Sequence, residues 1–350
     1  MSQSQSNHIK NVAIVGANGH IGKCIVQELL ASGSFHVKAL TRSASSIPFP
    51  PSPSFTVAEI SYTTPSTIVS ALAGQDILII TLSSRAPLET HLALVTAAAD
   101  AGVRYVIPNE WGVEYSSSSP TDPDPKKKNT LPEDVFLRDR HDAVIKRIEE
   151  LGKSSWMYFT TGFWQAHSLA LPDAFGFDLQ AREVTFFDDG ETKINTVTWQ
   201  HTAKAVTALL SLPTSTLSSS FLNTPIRTST FLVSQKDIFA SVLRVTGTRE
   251  SDWAIAYVPA EKRYQDARAK LYMAQDDDDR TAYQRLLYSR AFFKSGEGDF
   301  ESKFGLDDER LGLALPSHQR NNKKDDKDVL EALDEETRYA LRLVETGFTY

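Results

Sequence analysis

A single cysteine, Cys24, among 350 residues excludes an intramolecular disulfide and any cysteine-cluster metal site. It reads as a small apolar helix residue. The eight histidines are scattered singly, so no metal site is expected. No apolar run is long enough to span a bilayer, and the polar first ten residues lack the apolar core of a signal peptide, which makes a cytoplasmic location the expectation. Positive charge is in deficit. With 37 Lys and Arg against 44 Asp and Glu, net charge −7 and pI near 5.7, neither nucleic acid nor an anionic membrane is expected as a partner. The run Lys126-Lys127-Lys128 lies in a Pro/Asp/Ser-rich stretch and reads as solvated loop. What remains is 41% hydrophobic and 23% charged, an ordinary globular balance with room for one large α/β core and a smaller lobe.

The most informative segment is Gly16-Ala17-Asn18-Gly19-His20-Ile21-Gly22, which follows the apolar run Val12-Ala13-Ile14-Val15. Ile21, Ile25 and Leu29 then recur at helical spacing, and Ser32-Gly33-Ser34 ends the helix before a second apolar run at 35–40. This strand, turn and helix are the context a dinucleotide pyrophosphate needs. Glycines let backbone approach the phosphates without a Cβ clash, and the helix N-terminus offers free N–H groups. At the tip of the second strand, where an acidic residue would hold the ribose of NAD, the chain reads Thr41-Arg42-Ser43. Arg42 suits the 2′-phosphate of NADP, helped by the Thr41 and Ser43 hydroxyls, so NADP(H) is the expected cofactor.

Short apolar runs alternate with helix-patterned segments through residue 160, the signature of a parallel sheet covered on both faces. Strands are expected at 55–58, 76–81, 104–108 and 155–160, and helices at 66–73, 88–101 and 134–151. Ligands bind outside the carboxyl ends of such strands. That places Ser83, Asn109, Glu110, Trp111, Gly162, Phe163 and Trp164 at the reactive end of the cofactor. Residues 114–132 read as a mobile loop that could serve as a lid. Runs at 183–187 and 193–197 flank Asp188-Asp189-Gly190 and suggest a hairpin. A helix at 202–212 returns to the core, the acidic run 276–279 and the mixed-charge segment 320–328 read as solvated surface, and 329–346 is a terminal helix.

These features resemble the NmrA-like and isoflavone reductase-like atypical short-chain dehydrogenases over most of the chain. The resemblance rests on the glycine motif, on Arg42, on Arg104-Tyr105-Val106-Ile107-Pro108-Asn109-Glu110-Trp111-Gly112, and on Ile148-Glu149-Glu150-Leu151-Gly152. The stretch 189–195, and Thr246-Gly247 near Asp252-Trp253, are similar to fungal members, many of them oxidoreductases of secondary metabolism. The resemblance implies an NADPH-dependent reductase that uses a helix lysine as general acid or base on an aromatic or enone-like small molecule.

Here the chain departs from that family. The lysine position, seven residues before Ile148, is His141, and none of the eleven tyrosines is followed four positions later by lysine. Either His141 takes over the proton transfer, since imidazole titrates near neutral pH, or the acid is lost. In the second case the chain is an NADP-binding regulator with protein partners, or an isomerase or dehydratase. Glu110 reads as loop support, and His201 as a residue near a helix cap. His167, following the sixth strand, is a further candidate facing substrate, alongside Trp111 and Trp164. The architecture expected is a Rossmann-type doubly wound parallel sheet in residues 1–160 and a smaller substrate lobe in 161–350, with 190–215 returning to the core. The chain would act on a small molecule as a monomer or homodimer.

Overall fold

The computed structural model describes residues 7–44, 49, 52–114, 136–273, 280–314 and 323–347. Most of the expected lid, with Lys126-Lys127-Lys128, and the acidic run 276–279 lie outside the described residues. The first half of the chain runs β1 (Asn11–Val15), α1 (His20–Ala31), β2 (His36–Thr41), β3 (Phe55–Glu59), α2 (Pro65–Leu72), β4 (Ile77–Ile80), α3 (Leu88–Asp100), β5 (Tyr105–Ile107), β6 (Trp111–Gly112), α4 (Phe136–Leu151) and β7 (Ser155–Thr160). There follow β8 (Phe163–Trp164), α5 (Gln165–Ala170), β9 (Phe177–Asp178), β10 (Glu183–Phe187), β11 (Ile194–Val197), α6 (Trp199–Ser211), α7 (Thr214–Ser220), β12 (Thr224–Arg227), β13 (Phe231–Val233), α8 (Gln235–Thr246), β14 (Ala254–Val258), α9 (Ala260–Met273), α10 (Arg280–Ala291), α11 (Glu301–Phe304) and α12 (Lys323–Glu345).

The main sheet has the order β12-β7-β5-β4-β1-β2-β3, with β6 beside β7, and its pairs are parallel. Its central strands are apolar on both faces because both are covered. In β1, Val12 and Ile14 enter the core beneath α1 and α6, while Ala13 and Val15 enter the one beneath α2, α3 and α4. In β4, Ile77 and Ile79 divide from Leu78 and Ile80 in the same way, the strand period of two acting on an unbroken apolar run. A third core, rich in phenylalanine, joins Phe163, Phe175, Phe187, Phe231 and Phe292 under α8, α10 and α12. Among the described residues, no helix is long and apolar enough to cross a membrane.

Two expectations need correction. The runs at 183–187 and 193–197 are strands but not a hairpin. β10 pairs with β9 and β14, whereas β11 pairs with β8 and β13. The turn does form, with Asp188 at φ 53° and Gly190 at φ 75°. A buried side chain then takes up hydrogen bonds along β10. Gln235 Oε1 accepts from the Phe187 N–H at 2.7 Å, and its Nε2 donates to the Thr185 and Phe175 carbonyls at 2.9 and 2.8 Å. The second correction concerns β12, which lies in a stretch read as substrate lobe yet forms the edge of the main sheet beside β7. Pro225 hides it in sequence, because a proline inside a run argues against a strand except at an edge.

Candidate functional site

The glycine motif turns at the carboxyl end of β1 and opens α1. Gly16 has φ +85°, and a Cβ there would lie 2.2 Å from the Thr81 carbonyl oxygen. A Cβ at Gly22 would lie 2.2 Å from the Gly16 carbonyl oxygen. Only glycine fits either place. Gly19 is the N-cap residue of α1 and no side chain caps that helix end, so its first N–H groups face the turn formed by Ala17, Asn18 and Gly19. A bare backbone cradle at a helix N-terminus suits a pyrophosphate. His20 enters α1 and stacks on Trp199, with ring centroids 4.8 Å apart, and burial lowers its pKa. Ile21 packs at the rim of the core under α1.

At the end of β2 the turn folds about Thr41, whose hydroxyl donates to the Ser43 carbonyl at 3.1 Å. Arg42 is exposed there, and its charge opposes the burial that raises the Tyr62 phenol. The acidic residue at this edge is Glu59, the last residue of β3. It pairs in register with Thr41 and accepts the Ala44 N–H at 2.8 Å.

A third group gathers where β4 and β5 end. Asn109 is buried and its Nδ2 donates to the Leu82 carbonyl at 3.0 Å. It also lies 3.2 Å from His91 Nε2, while His91 Nδ1 lies 3.0 Å from the Pro87 carbonyl. The carbonyl can only accept, so Nδ1 carries the proton, Nε2 accepts from Asn109, and the ring is neutral. Burial lowers the His91 pKa in the same sense. Arg140 bridges the two loops, donating to the Ser84 carbonyl at 2.8 Å and approaching Glu110 at 3.7 Å. His141, the next residue on α4, is buried. Its Nδ1 lies 4.0 Å from Glu110 Oε2, and its ring meets Tyr158 edge-on at 4.8 Å. Ser83 stays exposed, and its hydroxyl accepts the Arg85 N–H at 3.3 Å. Tyr283 of α10 is felt electrostatically by Arg140 and Glu110, and burial pushes its phenol far up, so it stays protonated.

Of the other expected site residues, Trp111 stays beside this group. Trp111 donates its indole N–H to the Ile80 carbonyl at 2.8 Å and stacks on Phe159 at 5.7 Å, which commits it to the sheet edge. Gly162, at φ +72°, has its would-be Cβ 2.1 Å from the Asn195 carbonyl oxygen, so close approach to β11 requires glycine. Phe163 turns into the lobe core, with Tyr288 at 4.5 Å and Phe175 at 6.2 Å. Trp164 and His167 line a recess with Gln165, Trp199, Glu336 and Tyr339, whose enclosed volume of about 10 Å³ is that of one water. Burial there, with His20 nearby, lowers the His167 pKa to about 3, so it is neutral.

Sequence reading passed over Arg140, His91, Tyr283 and Trp199. His91 was within reach of it, because it falls on the same helical face as Leu94, Val95 and Ala98. Tyr283 lies far along the chain from β5 and carried no local signal.

Residues 16–149 match a family model described as NAD(P)H-binding. No curated protein matches the sequence. Among solved structures, the chain is similar to an isoflavone reductase, at TM-score 0.66 and 18% identity over 88% of this chain and 96% of that one. A leucoanthocyanidin reductase of Vitis vinifera, solved with NADPH, has TM-score 0.64 at 15% identity over 94% and 99%. An NADPH-dependent quinone oxidoreductase of Escherichia coli, complexed with NADPH, has TM-score 0.61 at 16% identity over 93% and 99%. Identities this low speak for a shared fold. Together with the glycine cradle, they make the N-terminal half an NAD(P)H-binding domain of Rossmann type, on the α/β architecture seen in isoflavone reductase-like structures.

Proposed function

We propose that this chain is an NADPH-dependent reductase of a small, largely apolar metabolite, aromatic or polyketide-like, acting in the cytoplasm in secondary metabolism. The observation that carries the reading is His141, held on α4 between the Glu110 carboxylate and Tyr158, at the position where the resemblance implies a lysine. When bound, NADPH supplies a hydride. His141 gives or takes the accompanying proton, and Glu110, 4.0 Å from its Nδ1, orients the ring. Arg140 fixes the Ser84 and Asn109 loops, which keeps the mouth of the sheet in one geometry. Arg42 at the β2 tip, where NAD-binding folds carry a carboxylate, supports NADP over NAD.

The test is a nicotinamide-fluorescence titration of wild type and Arg42→Ala with NADPH and NADH. Loss of a charge-assisted contact should weaken NADPH binding about tenfold or more and leave NADH unchanged. NADPH oxidation is then followed across a panel of quinones and aromatic enones, where His141→Ala should lower kcat by about 10²- to 10⁴-fold with NADPH affinity retained. Failure to bind either nucleotide overturns the reading. Binding without turnover of any acceptor would replace it with a nucleotide-sensing regulator.

A further inference from the structure

Helices α1 and α6 pack together and open on rings that touch. His20, the first residue of α1, follows the N-cap Gly19, and Trp199, the first residue of α6, follows the N-cap Thr198. The imidazole lies 4.8 Å from the indole and within 10° of parallel, so Trp199 covers one of its faces, while the residue as a whole stays exposed at the glycine turn. Partial burial holds His20 below the usual histidine value, which leaves it neutral at pH 7. Two features of its place favour the opposite charge state once an anion is bound. An indole face attracts a cation. An anion that accepts the first N–H groups of α1 lies beside the residue that carries the first of them. The groups around His20 come from three helices. On α1 itself, Lys23 stands three residues on, and burial pushes the Cys24 thiol up. From α5, His167 senses His20 and, lowered to about 3, is neutral near pH 7. From α12, Tyr339 meets Trp199 edge-on at 5.9 Å with its phenol raised by burial, and Glu336, raised to about 7, lines the same recess as Trp199.

We propose that His20 takes up a proton from solvent when the pyrophosphate of NADPH enters the glycine cradle, so that an imidazolium resting on the Trp199 indole becomes part of the cofactor site. The inference rests on the NADPH binding of the reading above and not on its hydride transfer. The phosphates stay anionic and the histidine gains one positive charge, which pairs with them across the helix N-terminus. Proton uptake makes affinity depend on pH with a fixed sign. Binding is tightest below the lowered value of His20 in the unliganded protein. Above that value it weakens by up to about tenfold per pH unit, until the raised value of the liganded protein is passed.

Titration calorimetry of the full chain with NADPH at about pH 7, in two buffers of different ionisation enthalpy, reads the protons taken up. Wild type should exceed His20→Gln by a measurable fraction of a proton, and Glu336→Gln should match wild type. The 2′-phosphate of the cofactor titrates alike in all three proteins and cancels in the difference. Nicotinamide fluorescence from about pH 6.5 to about pH 9 gives the affinities. Wild type should bind NADPH about fivefold or more tightly than His20→Gln at the acid end, and the two should converge at the alkaline end, where the imidazole has lost its charge. His20→Lys, a fixed cation on an exposed position, should keep tight binding throughout. A merely structural role would weaken His20→Gln by one factor at every pH. That result, or equal proton uptake by wild type and His20→Gln, would overturn the proposal and leave NADPH binding standing. Failure of wild type to bind NADPH would overturn both the proposal and the reductase reading.

Discussion

A β-carbon on Gly22 would stand 2.6 Å from the Thr81 Oγ1, a hydroxyl held in place by its 2.8 Å bond to the Val15 carbonyl. The end of β4 thus sets how closely α1 approaches the sheet, and with it the position of the N–H groups that face a pyrophosphate. Gly22→Ala should destabilise the fold by about 1–3 kcal/mol through overpacking against backbone, and weaken NADPH binding with it. Gly33→Ala is the control. Its φ is +67° but nothing lies within 4 Å of the added carbon, so it should cost only about 1–2 kcal/mol of backbone strain and leave binding intact. Equal NADPH affinity in the two variants would separate the glycine spacing from the cofactor.

Arg227 and Glu114 join the ends of β12 and β6 by a contact of 2.5 Å, with side chains 11% and 1% exposed. The guanidinium also lies 4.5 Å over the Phe304 ring. Removing one partner of a buried ion pair leaves the other charge without compensation. Glu114→Ala should therefore lower the urea-unfolding free energy by about 3–5 kcal/mol. The double variant Glu114→Leu, Arg227→Met should regain most of that loss, because an apolar pair has no charge to desolvate. A double variant as unstable as the single one would show that the loss comes from packing rather than charge.

Sequence patterning carried the central sheet further than it carried the site. β1 and β4 are legible as unbroken apolar runs, and Gly16, Gly19 and Gly22 announce a close backbone approach before any coordinate is known. β12 was hidden by Pro225, and the turn at 188–190 pointed to a hairpin because its residues do form a tight turn. β11 instead pairs with β8 and β13, and Gln235, a side chain distant in sequence, bonds to β10. The same distance obscures the site. Arg140 looks like a solvated charge on a helix, yet it is buried and holds the Ser84 and Asn109 segments together, beside the buried Glu110 that reads in sequence as support for its loop. Local pattern reports which face of an element is apolar. It does not report which buried polar group another element will satisfy.

Trp111 distinguishes packing from substrate contact. Its indole N–H reaches the Ile80 carbonyl and its ring lies on Phe159, both features of the sheet edge. Trp111→Phe keeps the ring stack and loses one hydrogen bond, so stability should fall by about 1 kcal/mol in denaturant titration. KM for any acceptor that is turned over should not change. A KM shift of about tenfold or more, worth about 1.4 kcal/mol of binding, would place the indole against substrate instead.

Glu336 and His167 share one recess and respond to pH in opposite directions. Burial raises the Glu336 carboxyl to about 7, although it accepts the Ala166 N–H. Its stabilising contribution is complete below its unfolded value near 4.5 and is lost as pH rises through about 7. His167, lowered to about 3, contributes stability that is complete above its unfolded value of 6.5 and lost as pH falls toward 3. Between about 4.5 and 6.5 the two slopes oppose each other, and wild type should show a shallow profile there. Glu336→Gln removes one slope. It should stabilise the fold at pH 8 by on the order of 2 kcal/mol and leave a curve that climbs steadily from acid to neutral pH, the His167 contribution alone. Urea titrations of both proteins from pH 4 to pH 8 check this, and parallel curves would mean that Glu336 carries its charge in the folded state at no cost.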